Sequence, residues 1–180
     1  FACFEKLCSI PHGSGNIEAI SNYLKEFAES HGVRVIQDPV GDILWFQPAT
    51  PGYEDHAPVL LQGHMDMVCE KDPDCTLDMA KDPLDLTHDD RFVFARGTTL
   101  GGDDGIAVAY AMALLEDPTI PHPPIEVLIT VDEETGMTGA ENIDMSQFSA
   151  MRLINLDSED EGIFTVSCAG GASVLTKLPA

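Results

Sequence analysis

Apolar positions recur at helical spacing from Asn16 to Ser30, where Ile17, Ile20, Tyr23, Leu24, Phe27 and Ala28 share one face. This predicts an amphipathic helix with Ser14 or Asn16 as N-cap and His31-Gly32 as its stop. Val33–Ile36 and Ile43–Phe46 read as two strands, separated by a turn around Pro39 to Gly41. Val59-Leu60-Leu61, followed by Gln62 and Gly63, has the short continuous apolar character of a buried strand. A second, Ala-rich helix is predicted over Ile106–Leu115, with Asp103 or Asp104 near its N-terminus. Ile125–Val131, Leu153–Leu156 and Ile163–Cys168 read as further strands. The Pro/Asp-rich stretches Asp72–Asp90 and Pro118–Pro124 read as loop excursions. Strands alternating with helices at this spacing predict an α/β fold with a mixed, largely parallel sheet flanked by helices.

Four acidic segments stand out against this pattern: Gly63-His64-Met65-Asp66, Gly102-Asp103-Asp104-Gly105, Asp132-Glu133-Glu134-Thr135-Gly136 and Asn155-Leu156-Asp157-Ser158-Glu159. Three lie where an apolar run stops and the other opens a helix, so such a sheet can bring one His and several carboxylates to one rim. Carboxylates gathered in one cleft repel one another, and divalent metals hold them together. His64 and Asp66 are two apart, which in extended chain lets the imidazole bind a metal while the carboxylate tunes it. Adjacent Glu133 and Glu134 point in different directions, so one can ligate while the other acts as general base. Asp103-Asp104 also has a plain structural reading as a helix N-cap, and Glu133-Glu134 one as a solvated acidic turn.

Composition narrows the partners. The 180 residues are 44% hydrophobic, enough to bury a core as one domain. With 31 acidic against 9 basic residues the formal net charge is −22, which argues against nucleic acid or an anionic membrane surface. Eight of the 31 acids lie in the four segments, so most of the charge is read as solvated surface. The five cysteines, Cys3, Cys8, Cys69, Cys75 and Cys168, form no CxxC pair and read as reduced thiols of a cytoplasmic protein. No apolar run approaches the roughly 20 residues of a membrane span.

Several other signals are read as structural or negative. Asp157, Glu159 and Glu161 before Gly162 suggest an EF-hand, but its twelfth position is Cys168 where a bidentate Glu is needed. Met65, Met67 and Met112 are read as packing. His12, His31, His56, His88 and His122 are read as surface residues. Gly13-Ser14-Gly15 and Gly170-Gly171 lack the Lys and spacing of a phosphate loop.

Taken in order, Gly63–Val68, Gly97–Gly105, Asp132–Met137 and Asn155–Glu159 resemble the aminoacyl-histidine dipeptidases, cytosolic two-zinc metallopeptidases also called Xaa-His dipeptidase or peptidase D. The wider superfamily of two-zinc exopeptidases shares the metal ligands. The resemblance implies two Zn2+, with Co2+ or Mn2+ as other cations. One zinc would be held by His64 and Asp157, and Asp103 would bridge to a second held by Glu134 and a His outside this sequence. Glu133 would be the general base that takes a proton from the attacking water, and Asp66 would orient and polarise His64. A cis peptide after Asp103 is implied as well. The substrate would be a small Xaa-His dipeptide, and the complete protein could be a homodimer. An aminoacylase, tripeptidase or carboxypeptidase on the same metal core stays open, as does a non-catalytic acidic metal-binding module. Because the family pattern includes a later His and an inserted lid domain, residues 1–180 are expected to be the N-terminal segment of the catalytic domain.

Overall fold

The computed structural model describes residues 1–158, 162–167, 170 and 174–177. Its organising element is β6 (Ile125–Thr130), every residue of which is buried. A strand that is apolar throughout needs cover on both faces, and β6 lies third in a five-stranded sheet. The order is β1 (Arg34–Gln37), β2 (Ile43–Gln47), β6, β3 (Val59–His64) and β7 (Leu153–Asn155). β1 with β2 and β2 with β6 are antiparallel, whereas β6 with β3 and β3 with β7 are parallel. The sheet is therefore mixed, as the alternation of elements predicts.

Side-chain alternation assigns the faces. Ile43 and Trp45 of β2, with Ile125, Val127 and Ile129 of β6, join the larger core. That core is closed by α1 (Ala2–Cys8), α2 (Glu18–Ser30) and α3 (Gly102–Glu116). The other face holds Leu44, Leu60 and Leu128, packed by Ile143, Phe148 and Ala150 from the segment around α4 (Thr138–Asn142) and a 3₁₀ turn at Met145–Gln147.

Helix α2 buries Ile20, Leu24 and Ala28 at i, i+4 spacing and ends at a His31 C-cap. Its N-cap is Ile17, with no side-chain cap. Ser14 and Asn16, the expected caps, are used elsewhere: the Ser14 hydroxyl donates to Asp66 and the Asn16 amide to the Ala80 carbonyl. α3 packs its small residues against β3, and the match is close. A Cβ on Gly63 would lie 2.7 Å from that of Ala107 and 2.5 Å from Asp104 Oδ2.

Four short elements, α1, two strands and α4, are absent from the sequence reading. α1 is too short to show a period, and the excursion expected over Asp72–Asp90 ends in a hairpin of β4 (Leu86–His88) and β5 (Val93–Ala95). α4 follows the acidic turn after β6. The strand expected at Ile163–Cys168 does not form: residues 163–167 have no regular structure, and Cys168 lies outside the described residues. No helix among the described residues is long and apolar enough to cross a membrane.

Candidate metal centre

His64 is the last residue of β3, in register with Thr130, the last of β6. Beyond Thr130 the chain passes through Val131 into Asp132-Glu133-Glu134, and β7 pairs through Asn155 with Gln62, leading into Asp157. The carboxyl ends of three neighbouring parallel strands thus meet at one rim, where open α/β sheets bind ligands. α3, packed on β3, begins there with Asp103 and Asp104, both non-helical in φ/ψ and joined by a cis peptide bond. Neither caps the helix through its side chain; the N-cap is Gly101.

His64 is 1% exposed. Its Nδ1 is 3.0 Å from the Asp66 carbonyl oxygen and 3.3 Å from Asp66 Oδ1, and its Nε2 is 3.1 Å from Asp103 Oδ1. With Nδ1–H donated to Asp66, loss of the Nε2 proton would turn that nitrogen's lone pair toward the acidic cleft. Burial alone would lower the His64 pKa, but the hydrogen bond and charge of Asp66, with Asp104 and Asp103, outweigh it and push it up to about 9.

Asp66 is buried as well, and its carboxylate reaches further than His64. Oδ2 accepts the Ser14 hydroxyl at 2.7 Å, and Oδ1 accepts the Glu133 N–H at 3.0 Å. The Glu134 N–H lies 3.4 Å from Oδ2. Burial opposes ionisation, yet the hydrogen bonds from His64, Ser14 and the Glu133 amide hold this carboxyl down at about 2. One carboxylate therefore orients the imidazole and anchors the turn that carries both glutamates.

Asp104, part of an acidic segment expected at the rim but not among the metal ligands the resemblance implies, is 3% exposed and accepts the His64 backbone N–H at 3.3 Å through Oδ2. Burial raises its pKa to about 7, with the His64 charge opposing and Asp157 and Asp103 adding repulsion. Glu133 and Glu134 are also shifted upward, by burial and by neighbouring carboxylates, with His64 partly offsetting. Two groups of donor atoms lie within 4.8 Å of one another: His64 with Glu133 and Glu134, and His64 with Asp104 and Asp157. Asp103 belongs to neither, although its Oδ1 faces His64 Nε2. One imidazole amid carboxylates is a donor set suited to zinc, cobalt or manganese, so the residues present fit a divalent metal. Asp104 is the member missed from sequence, because only its burial under Gly63 separates it from an ordinary capping residue.

The remaining candidates fall outside the centre. His31, His56 and His88 are exposed as expected, but His12 and His122 are buried, at 4% and 6%. Each has its Nδ1 on a backbone carbonyl, of Ile10 and Pro123 respectively, so local hydrogen bonds make burial affordable for rings in irregular chain. Met65, Met67 and Met112 are buried packing residues. Cys3, Cys8, Cys69 and Cys75 are free thiols, while Cys168, Glu159 and Glu161 lie outside the described residues.

The model of peptidase family M20/M25/M40 matches residues 60–165, the stretch that carries all of these donors. The cytosol non-specific dipeptidase of Escherichia coli K12 is 46% identical over 175 residues, 97% of this chain and 36% of that protein. The crystal structure of aminoacylhistidine dipeptidase from Vibrio alginolyticus superposes with a TM-score of 0.87 at 45% identity, over 89% of this chain and 33% of that one. The aminopeptidase PepT of Bacillus cereus gives a TM-score of 0.70 at 26% identity, over 87% of this chain and 42% of its own. The chain thus spans about a third of the length of the first two.

Proposed function

Because this chain belongs to peptidase family M20/M25/M40, we propose that it is the N-terminal segment of a metallopeptidase catalytic domain that hydrolyses dipeptides, those of the Xaa-His class among them. The observation that carries the reading is the pair of donor groups sharing His64 at the rim of the sheet. In this reading His64, Asp103, Glu134 and Asp157 hold two zinc ions, Asp104 lies within reach of the same centre, and the remaining His ligand and the lid belong to chain beyond Ala180. The names of the Escherichia coli and Vibrio alginolyticus relatives support the dipeptide substrate, and the first also supports a cytoplasmic location.

When bound, the metals would polarise the scissile carbonyl and acidify water. The chain's own residues do the rest. Glu133, whose pKa burial raises above the ordinary carboxylate value, accepts the proton of the attacking water and returns it to the leaving amine. Asp66 keeps the His64 ring fixed through Nδ1 and, through the Glu133 N–H, sets where the base stands. Ser14 in turn holds Asp66.

The test is Glu133→Gln in the full-length protein. The variant is expected to keep its metals and lose about two to four orders of magnitude in kcat, the usual span of general acid/base catalysis. Wild-type turnover with the metals bound would remove Glu133 as the base. Parallel assays of a tripeptide and an N-acyl amino acid decide between the dipeptidase and its tripeptidase or aminoacylase alternatives.

A further inference from the structure

Asp42 is a fully buried carboxyl, 0% exposed, that the reaction above does not use. It stands in the turn between β1 and β2, one residue before Ile43. Its Oδ1 accepts the N–H of Val131 at 2.9 Å, across 89 residues of sequence. Among the described residues Oδ2 has no hydrogen-bond partner. The β2–β6 ladder ends at the pair Ile43 and Ile129, so the Val131 amide lies beyond the last register pair. The Asp42 side chain supplies the acceptor that another strand residue would have provided, and a buried amide left without one is costly.

Val131 is the root of the turn that carries Glu133 and Glu134. Its carbonyl accepts the Gly139 N–H at 3.1 Å, which closes the loop from 131 to 139. A Cβ on Gly139 would collide with Asp42 Oδ1 and reach 2.7 Å from the Val131 nitrogen, so only glycine permits this closure. Past the root, Asp132 adopts φ 52° and its Oδ1 accepts the Gly15 N–H at 2.7 Å, before Glu133 and Glu134 meet Asp66. The turn is therefore held near its tip by Asp66 and at its root by Asp42. One N–H and no cation is too little to support an ionised buried carboxylate, and burial, opposed by the Val131 N–H and reinforced by Asp38 and Asp132, raises this carboxyl to about 7. What the Val131 amide requires of Asp42 is the shape and acceptor capacity of Oδ1, which a neutral carboxyl supplies as well as a charged one.

We propose that Asp42 is a positioning residue for the glutamate turn: by holding the Val131 amide it fixes the direction in which Glu133 and Glu134 leave β6. The inference rests on the proposed roles of those glutamates. Its test uses the full-length, zinc-loaded protein with Asp42→Asn, which retains a neutral acceptor of the same shape, and Asp42→Ala, which removes it. Dipeptide kcat and KM, zinc content and amide hydrogen exchange are measured together. The Asn variant is expected to keep kcat within about threefold and to keep Val131 protected. The Ala variant is expected to lose about 10- to 100-fold in kcat with KM little changed, the scale of a small misplacement. Its exchange should quicken at residues 131–136 and stay slow in β2 and β3. Unchanged kcat and exchange in the Ala variant would overturn the proposal, as would an Asn variant with Val131 deprotected. Should the Ala variant not fold, Val131 protection in the Asn variant decides by itself. Exchange that follows Asp42 in a protein that cleaves no dipeptide would support the positioning role and discard the substrate reading.

Discussion

Asp66 contacts three parts of the chain at once, the His64 ring, the Ser14 hydroxyl and the Glu133 amide. Asp66→Asn keeps the size but loses the charge, and groups that orient a metal-binding His typically contribute 10- to 100-fold in affinity or activity. Zinc affinity in a chelator competition is expected to fall by about that factor, and an unchanged affinity would reduce Asp66 to packing. The raised pKa of His64, about 9, sets the pH dependence of metal uptake. Below that value the imidazole must lose a proton to bind, so zinc affinity should rise with pH through about 9 rather than level off near the reference His value of about 6.5. Calorimetry in buffers of different ionisation enthalpy should show proton release persisting above pH 7. Asp42 has the opposite consequence for stability. A carboxyl with a folded pKa of about 7 contributes stability that is full below its unfolded value and is lost as pH rises through 7. Unfolding free energy should therefore decline between about pH 4 and 7, by at most about 1.4 kcal/mol per pH unit from this group. In Asp42→Asn that part of the slope should vanish, and parallel curves for the two proteins would contradict the assignment.

At the scale of elements, the centre depends on how closely α3 approaches β3. Gly63 leaves no room for a side chain, because a Cβ there would lie 2.7 Å from that of Ala107 and 2.5 Å from Asp104 Oδ2. Gly63→Ala is expected to destabilise the fold by about 1–3 kcal/mol, the range for overpacking a core, and to weaken zinc binding as the start of α3 is pushed outward. Denaturant midpoints and metal titration of the one variant test both halves. The elements themselves were unequally legible. β6, β3 and α2 were readable because long apolar runs or a clean 3.6 period exceed local noise. α1, the strands β4 and β5, and α4 span only three to seven residues each, too short for a period to stand out. The hairpin turn is instead made by Asp89, whose Oδ1 accepts the Arg91 and Phe92 N–H groups, inside a stretch whose acidic composition reads as loop.

For the whole molecule, a net charge of −22 and a rim of clustered carboxylates make cations the main stabilising solutes. Residues 1–180 alone are expected to show a higher melting temperature with added zinc, by mass action on the folded state. They are also expected to show no measurable Xaa-His dipeptidase activity, because in the proposed reading a first-coordination His and the lid lie in the remainder of the protein. Differential scanning calorimetry and a dipeptide assay of the purified chain with excess zinc are sufficient. Turnover matching a full-length relative would show that the reading misplaces the ligand set.

Sequence by itself determined the α/β class, the central strands and the four segments that converge on the rim, because apolar periodicity and strand ends are local properties. It also marked His64, Asp66, Asp103, Glu133, Glu134 and Asp157 as candidates, through their place at strand ends and a helix start and through the resemblance of the four segments, taken together, to a known family. Tertiary structure alone decided that Asp104 is buried against His64 while Asp103 stands at the mouth. Local pattern does not separate the burial of the two adjacent aspartates, which is settled where α3 packs over Gly63 of β3. Tertiary structure likewise decided that Asp42, His12 and His122 are buried, for burial of a polar side chain depends on partners far away in sequence. Val131 meets Asp42 across 89 residues, a separation at which no local pattern carries information.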